Sequence, residues 1–288
     1  MRHDTTFHSD GCKLAAHLYL PEPTGTPVPG IVLCHGFAGV KELLLPPFAD
    51  YFCSSGFAVL AFDYRGFGAI EGEAGRIIPE YQVRDIGNAI SFMQSREEVD
   101  TSRIGLWGSS LGGANAIAAA ARDDRVKCLC VQLTFGSGHR MVTGNQTPEE
   151  QTKFNETILR MLRKRAATGK ELMVPLHKVL SDEQSKRFFE EQVSTFSALT
   201  IKVPFLTIAE TMLCNPEALL PDLHIPLHIT AAGNDLVNPP EESRHLFAAA
   251  NEPKELLMVD GAGHYEVYQG EAFKEVARQQ AEWFGRYL

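Results

Sequence analysis

Residues 103–114, Arg-Ile-Gly-Leu-Trp-Gly-Ser-Ser-Leu-Gly-Gly-Ala, constrain this chain more than any other stretch. Residues 104–107 are a short apolar run of the kind that makes a buried strand, and the Ala-rich sequence up to Arg122 reads as a helix. Between them Gly108-Ser109-Ser110-Leu111-Gly112 matches G-x-S-x-G, with Ser110 at its centre. A strand and a helix joined by so tight a turn strain the central residue and expose its hydroxyl, the arrangement of a nucleophile elbow. Gly108 and Gly112 flank the serine because a Cβ at either place would collide with neighbouring chain. Gly113 and Ala114 let the helix lie close on the sheet. Taken alone, these residues could be an ordinary Gly-rich turn. An elbow also needs an acid and a base, following the serine in the order Asp or Glu, then His, and two N–H donors for an oxyanion.

Each part has a candidate. The base is His264, in the glycine-rich loop Asp260-Gly-Ala-Gly-His264 just after the last predicted strand. An imidazole there can reach Ser110 and take its proton. The acid is Asp235, in Gly233-Asn-Asp235 after the penultimate strand, where it would hold the ring's tautomer and stabilise the imidazolium. A turn aspartate would also suit Gly-Asn-Asp. Asp260 is the nearest rival, but it lies too close to His264 along the loop to orient it easily. One oxyanion donor is expected from the N–H of Leu111. The other is expected from the N–H of Phe37, in His35-Gly36-Phe37, where Gly36 lets the backbone turn inward. His35 is the main rival base and is assigned to another part of the site. His139 and His245 read as surface residues.

The rest of the chain has the rhythm such a site requires. Apolar runs at 28–34, 57–62, 126–133, 225–231 and 255–259 alternate with helical stretches at 45–53, 81–94 and 271–287, after an early antiparallel strand at 14–20. Continuous apolar strands alternating with helices predict an α/β fold, a mainly parallel sheet covered on both faces. From about 136 to 215 the strand rhythm stops. A charged helix over 149–170 carries Phe154, Ile158 and Leu162 four apart, and a second helix over 182–193 carries Phe188 and Phe189. This segment is predicted to be a helical cap over the carboxyl ends of the strands, on a core made of 1–135 and 216–288. Arg160, Arg163, Lys164 and Arg165 read as a solvated helix face rather than a site for an anionic group such as a coenzyme A thioester. Asp63-Tyr-Arg-Gly-Phe-Gly68 reads as a loop fixed by a local charge pair.

Composition excludes several classes of function. A net charge of −9 argues against nucleic acid or an anionic membrane as the main partner. The polar N-terminus has no apolar signal core, and no apolar run is long enough to span a bilayer, so the expected location is the cytoplasm. The six cysteines, at 12, 34, 53, 128, 130 and 214, form no metal-spaced cluster and read as free thiols, with Cys128 and Cys130 on one side of a strand. Neither a Walker loop nor a G-x-G-x-x-G fingerprint is present, so no cofactor and no metal is expected.

Through His-Gly-Phe, Gly-Ser-Ser-Leu-Gly-Gly, Gly-Asn-Asp and Gly-Ala-Gly-His, in order and over nearly its whole length, the chain resembles the α/β-hydrolases. The Gly-x-Ser-x-Gly-Gly form and Asp-Tyr-Arg-Gly-Phe-Gly resemble the dienelactone-hydrolase-like and X-Pro-dipeptidyl-peptidase-like esterases, a look shared by bacterial carboxylesterases and fungal polyketide transferases. Peptidase members carry large extra domains that this chain lacks. Ser110 departs from haloalkane dehalogenases and epoxide hydrolases, which place aspartate there. The resemblance implies a cofactor-free serine esterase acting on small to medium carboxylic esters through Ser110, His264 and Asp235. It also implies poor handling of tertiary-alcohol esters, because the oxyanion loop is a plain His-Gly-x. Alternatives are acyl transfer or thioester cleavage by the same residues, and a non-catalytic ligand receptor on a hydrolase scaffold. The expected partner is a small-molecule ester or thioester, with a homodimer left open.

Overall fold

The computed structural model describes residues 1–23, 25–68 and 73–288. In chain order, strands β1 (Arg2–Ser9), β2 (Cys12–Tyr19) and β3 (Val28–Cys34) precede helix α1 (Pro46–Ser54). Strand β4 (Ala58–Phe62), helix α2 (Pro79–Gln94), strand β5 (Val99–Ser109), helix α3 (Leu111–Ala120) and strand β6 (Val126–Gln132) then alternate. The inserted segment follows, with α4 (Gly138–Thr143), α5 (Pro148–Thr168), β7 (Met173–Pro175), α6 (Glu183–Gln192), β8 (Lys202–Pro204) and α7 (Thr207–Met212). The alternation closes with β9 (Leu227–Ala232), α8 (Pro240–Ala249), β10 (Lys254–Val259) and α9 (Gly270–Tyr287).

The eight long strands form one sheet in the order β1-β2-β4-β3-β5-β6-β9-β10. From β4 to β10 all pairs are parallel, while β2 runs antiparallel to both β1 and β4. The chain leaves β3 for β4 on one side and returns to β5 on the other, so the carboxyl ends of β3 and β5 border a crevice at the switch point. Ser110 follows β5 directly, which puts the elbow in that crevice.

Both faces of the sheet are covered, as continuous apolar strands demand. One face buries Ile31, Leu33, Trp107 and Cys130 under Phe48 and Phe52 of α1 and Phe284 of α9. The other buries Val32, Leu106 and Leu129 under Ile86 and Ile90 of α2 and Ile117 of α3. A Cβ on Gly105 would lie 2.8 Å from the Phe284 ring, so a glycine in mid-strand lets α9 settle onto β5.

Two features depart from the sequence expectations. Strand β1 was not anticipated, and the inserted segment is not purely helical, because β7 and β8 pair antiparallel within it. Its long helix α5 is set by local signals. Thr147 and Glu150 form a capping box, Pro148 opens the first turn, and Gly169 closes the helix at φ +67°.

Candidate active site

Ser110 sits at φ +55°, ψ −127°, outside the conformations an L-residue adopts freely. Such strain costs about 1–3 kcal/mol and persists only where surrounding structure enforces it. Here the Ser110 N–H donates to the Gln132 carbonyl at 2.9 Å, and the Ser110 carbonyl accepts from Gly113 N–H at 2.9 Å and Thr134 Oγ1 at 2.7 Å. The flanking glycines do what the sequence required. A Cβ on Gly112 would overlap the carbonyls of Cys34 and His35, one on Gly108 would overlap the Gly112 carbonyl, and one on Gly113 would lie 2.8 Å from Thr134 Cβ.

The loop after β3 passes against the serine. A Cβ on Gly36 would stand 3.1 Å from Ser110 Cβ. Ala38 turns the loop at φ +52°, and Gly39 N–H donates to the Gly36 carbonyl at 3.2 Å. Phe37, Ser110 and Leu111 line one cavity. His35 holds this loop from within. It is buried, and burial keeps its imidazole neutral, down to about 4. Its Nδ1 lies 2.9 Å from the Gly36 carbonyl, which only accepts, so Nδ1 carries the proton and Nε2 faces the Tyr64 N–H at 3.5 Å. Both ring nitrogens are thereby engaged in structure.

His264 and Asp235 lie side by side. His264 Nδ1 lies 2.7 Å from Asp235 Oδ2, with both side chains buried. A carboxylate can only accept, so Nδ1 donates, and in the neutral ring Nε2 carries the lone pair. The other carboxylate oxygen accepts from the Val237 and Asn238 N–H groups, each at 2.8 Å. Ser110 and His264 line the same narrow cleft. Asp260 is exposed at the loop surface, and His139 and His245 are exposed on α4 and α8.

Sequence reasoning missed two polar side chains. Asn238 Nδ2 donates to Ser110 Oγ at 3.3 Å and to the Leu133 carbonyl at 2.6 Å. Gln184 of α6 hydrogen-bonds the His264 N–H from across the insertion. Neither lies in a motif that spacing alone marks, although Asn238 follows Asp235 by three residues.

Residues of the segment between β6 and β9 and residues of the core line one cavity of about 380 Å³ together with Ser110. Phe154 of α5, Met141 of α4 and Ile208 of α7 face Phe37, Phe135 and Val237 of the core. Phe188 and Phe189 both line the narrow cleft, Ile158 is buried in packing and Leu162 is half-buried. Arg160, Arg163 and Lys164 are exposed, as a solvated face should be, while Arg165 pairs with Glu171 at 3.3 Å.

The expected local charge pair at 63–68 is corrected. Asp63 instead pairs with the buried Lys41 Nζ at 2.8 Å, and Arg65 pairs with Asp85 at 2.5 Å. Asp63 lies on the sheet side of its loop, at the end of β4, and Arg65 on the α2 side, so each finds a partner outside the stretch. All six cysteines are free, and burial pushes the thiols of Cys34 and Cys214 up to about 12. Among the described residues no group of three His, Cys, Asp or Glu side chains gathers as a metal-holding set, and no helix is long and apolar enough to cross a membrane.

The chain resembles known proteins over its whole length. It is 44% identical over 261 residues to an uncharacterized 31.7 kDa protein of the traX-finO intergenic region of Escherichia coli, covering 90% of this chain and 91% of that one. It is 28% identical to the polyketide transferase ATR5 of Stachybotrys chlorohalonatus, covering 100% of this chain and 98% of that one. The solved structure of DcsB with its substrate analogue superposes with a TM-score of 0.88 at 24% identity, covering 100% of both chains, and shows the same fold. The α/β-hydrolase resemblance read from the motifs holds at the level of the family as well. The family described as serine aminopeptidase, S33 matches residues 25–268, from the loop before β3 past the histidine, and on that extent the chain belongs to this family of α/β hydrolases.

Proposed function

We propose that the chain is a serine hydrolase that cleaves carboxylic esters of small to medium size through an acyl-enzyme on Ser110. One observation carries the reading. A serine held at φ +55° shares a cleft with a buried histidine whose Nδ1 is bonded to a carboxylate at 2.7 Å. Ser110 Oγ attacks the ester carbonyl while His264 Nε2 takes its proton. The developing oxyanion is met by the Phe37 and Leu111 N–H groups. Asp235 keeps the imidazole in the required tautomer and stabilises its charged form. Collapse of the tetrahedral intermediate expels the alkoxide, which takes the proton from His264. Water then repeats the attack on the acyl-enzyme and frees Ser110. The segment 136–215 serves as the cap that bounds the substrate.

A second reading is favoured by the polyketide transferase relative. The same acyl-enzyme would pass its acyl group to an alcohol or amine in place of water. A purely ligand-binding role finds no support in a site that keeps the serine, the paired histidine and the strained elbow.

A panel of p-nitrophenyl esters from acetate to palmitate, with tert-butyl acetate included, tests the reading. Each methylene buried under Phe154 and Phe205 is worth about 0.8 kcal/mol, so kcat/KM should rise about fourfold per carbon until the cavity is full, then fall. The optimum is expected among short to medium acyl chains, and the tert-butyl ester should be cleaved slowly. Rates that peak at palmitate, or brisk cleavage of the tert-butyl ester, would contradict this pocket. Added alcohol acceptors separate the two readings, because transfer yields a new ester in place of free acid.

A further inference from the structure

Helix α6 of the inserted segment carries one side chain that touches both loops of the acid–base pair. Gln184 Oε1 accepts from the His264 N–H and from the Leu236 N–H, each at 3.1 Å. Its Nε2 donates to the Asn234 carbonyl at 2.8 Å. Asn234 and Leu236 bracket Asp235, so one amide joins the backbone on either side of the acid to the backbone of the base. The approach is close: a Cβ on Gly263 would lie 2.5 Å from Gln184 Nε2, so a side chain there would push the amide aside. Two further contacts seat the helix there. Ser185 Oγ lies 3.1 Å from the Tyr265 hydroxyl, and the Phe188 ring stacks on Tyr265 at 4.0 Å between centroids and 7° between planes. The same helix faces the substrate space. Asp182, its N-cap, borders the 380 Å³ cavity, and Phe188 and Phe189 border the cleft shared by Ser110 and His264.

We propose that Gln184 is a positioning residue that couples the seating of α6 to the alignment of His264 with Asp235. The inference rests on the reading of Ser110, His264 and Asp235 as the reacting set. An acid–base pair works only within a fraction of an ångström of its productive geometry, and the residues that lock it contribute through that alignment. With α6 seated, both N–H groups and the Asn234 carbonyl are paired. With α6 displaced, those three groups lose their partner and the two loops lose their tie. A substrate group that enters the cleft bordered by Phe188 and Phe189 packs against the seated helix, and thereby favours the arrangement in which the base is held in place.

The test compares wild type, Gln184→Met and Gln184→Glu with p-nitrophenyl butyrate across pH, together with fluorophosphonate labelling of each protein. Methionine keeps the length of the side chain and loses all three hydrogen bonds. Its kcat should fall about ten- to a hundredfold, with KM held within about twofold. Glutamate keeps the two acceptor bonds, loses the donor to the Asn234 carbonyl and sets a negative charge beside His264. It should keep more of kcat than the methionine variant at its optimum pH and move the acidic limb of kcat/KM up by about half a unit or more, because the carboxylate favours the imidazolium. A wild type that labels on Ser110, with both variants keeping wild-type kcat and an unmoved acidic limb, would overturn the proposal. So would a methionine variant whose whole loss lies in KM. A wild type that neither labels nor turns over would overturn the reading of the site itself.

Discussion

Ser110→Ala should lower kcat toward an activated ester by about five to six powers of ten, the scale on which loss of a catalytic serine is felt. The substitution removes one atom, Oγ, which accepts a hydrogen bond from Asn238 Nδ2 at 3.3 Å in the resting site. That amide keeps its shorter bond to the Leu133 carbonyl, so no buried donor is abandoned. Alanine carries the same Cβ at the same φ of +55°, and the backbone strain is therefore unchanged. The variant should fold and melt like the parent, which calorimetry would check. Turnover within about tenfold of wild type, measured against the uncatalysed rate, would remove Ser110 from the chemistry.

Asp235→Asn should cost about three to four powers of ten in kcat while the protein stays folded. The local bonding explains why an isosteric change is so damaging. One oxygen of Asp235 accepts from the Val237 and Asn238 N–H groups, so an asparagine must leave its own oxygen there. Its NH₂ is then turned toward His264 Nδ1, in place of the oxygen now 2.7 Å away. The ring must accept at Nδ1 and carry its proton on Nε2, the nitrogen that has to receive the proton of Ser110. The tautomer is wrong, and nothing else in the loop needs to move. Near wild-type turnover in Asp235→Asn would mean that another carboxylate orients the base.

Much of this site was legible because the glycines around the elbow record close approaches of backbone. Gly108, Gly112 and Gly113 each stand where a Cβ would strike main chain or Thr134, and such collisions leave a mark in sequence. The loops after β9 and β10 were legible for a similar reason, since Gly-Asn-Asp and Gly-Ala-Gly-His are turn chemistry at the ends of apolar runs. What escaped has no short-range signature. Strand β1 lies at the sheet edge, and of its eight residues only Phe7 and Ser9 are buried, so it lacks an apolar run. Its one local clue was Asp10-Gly11, which turns the hairpin with positive φ at both residues. The partners of Asp63 and Arg65 lie 22 and 20 residues away, and Gln184 lies 80 residues from His264. Pairings of that kind are fixed by the fold, through the placing of the loop after β3 and the seating of α2 and α6, and no spacing rule reaches them. The paired strands β7 and β8 are three residues each, too short to show a period.

In the proposed mechanism one serine, Ser110, forms the covalent intermediate. Intact-mass measurement after treatment with a fluorophosphonate tests this most directly, followed by fragmentation of the tryptic peptide covering 104–122. One adduct per chain is expected, with fragment ions placing it on Ser110 and no adduct on Ser110→Ala. Ser109 shares that peptide, but it is buried, with its Oγ hydrogen-bonded to the Tyr268 hydroxyl. An adduct on Ser109, or an active enzyme that takes up no label at Ser110, would rule Ser110 out as the nucleophile.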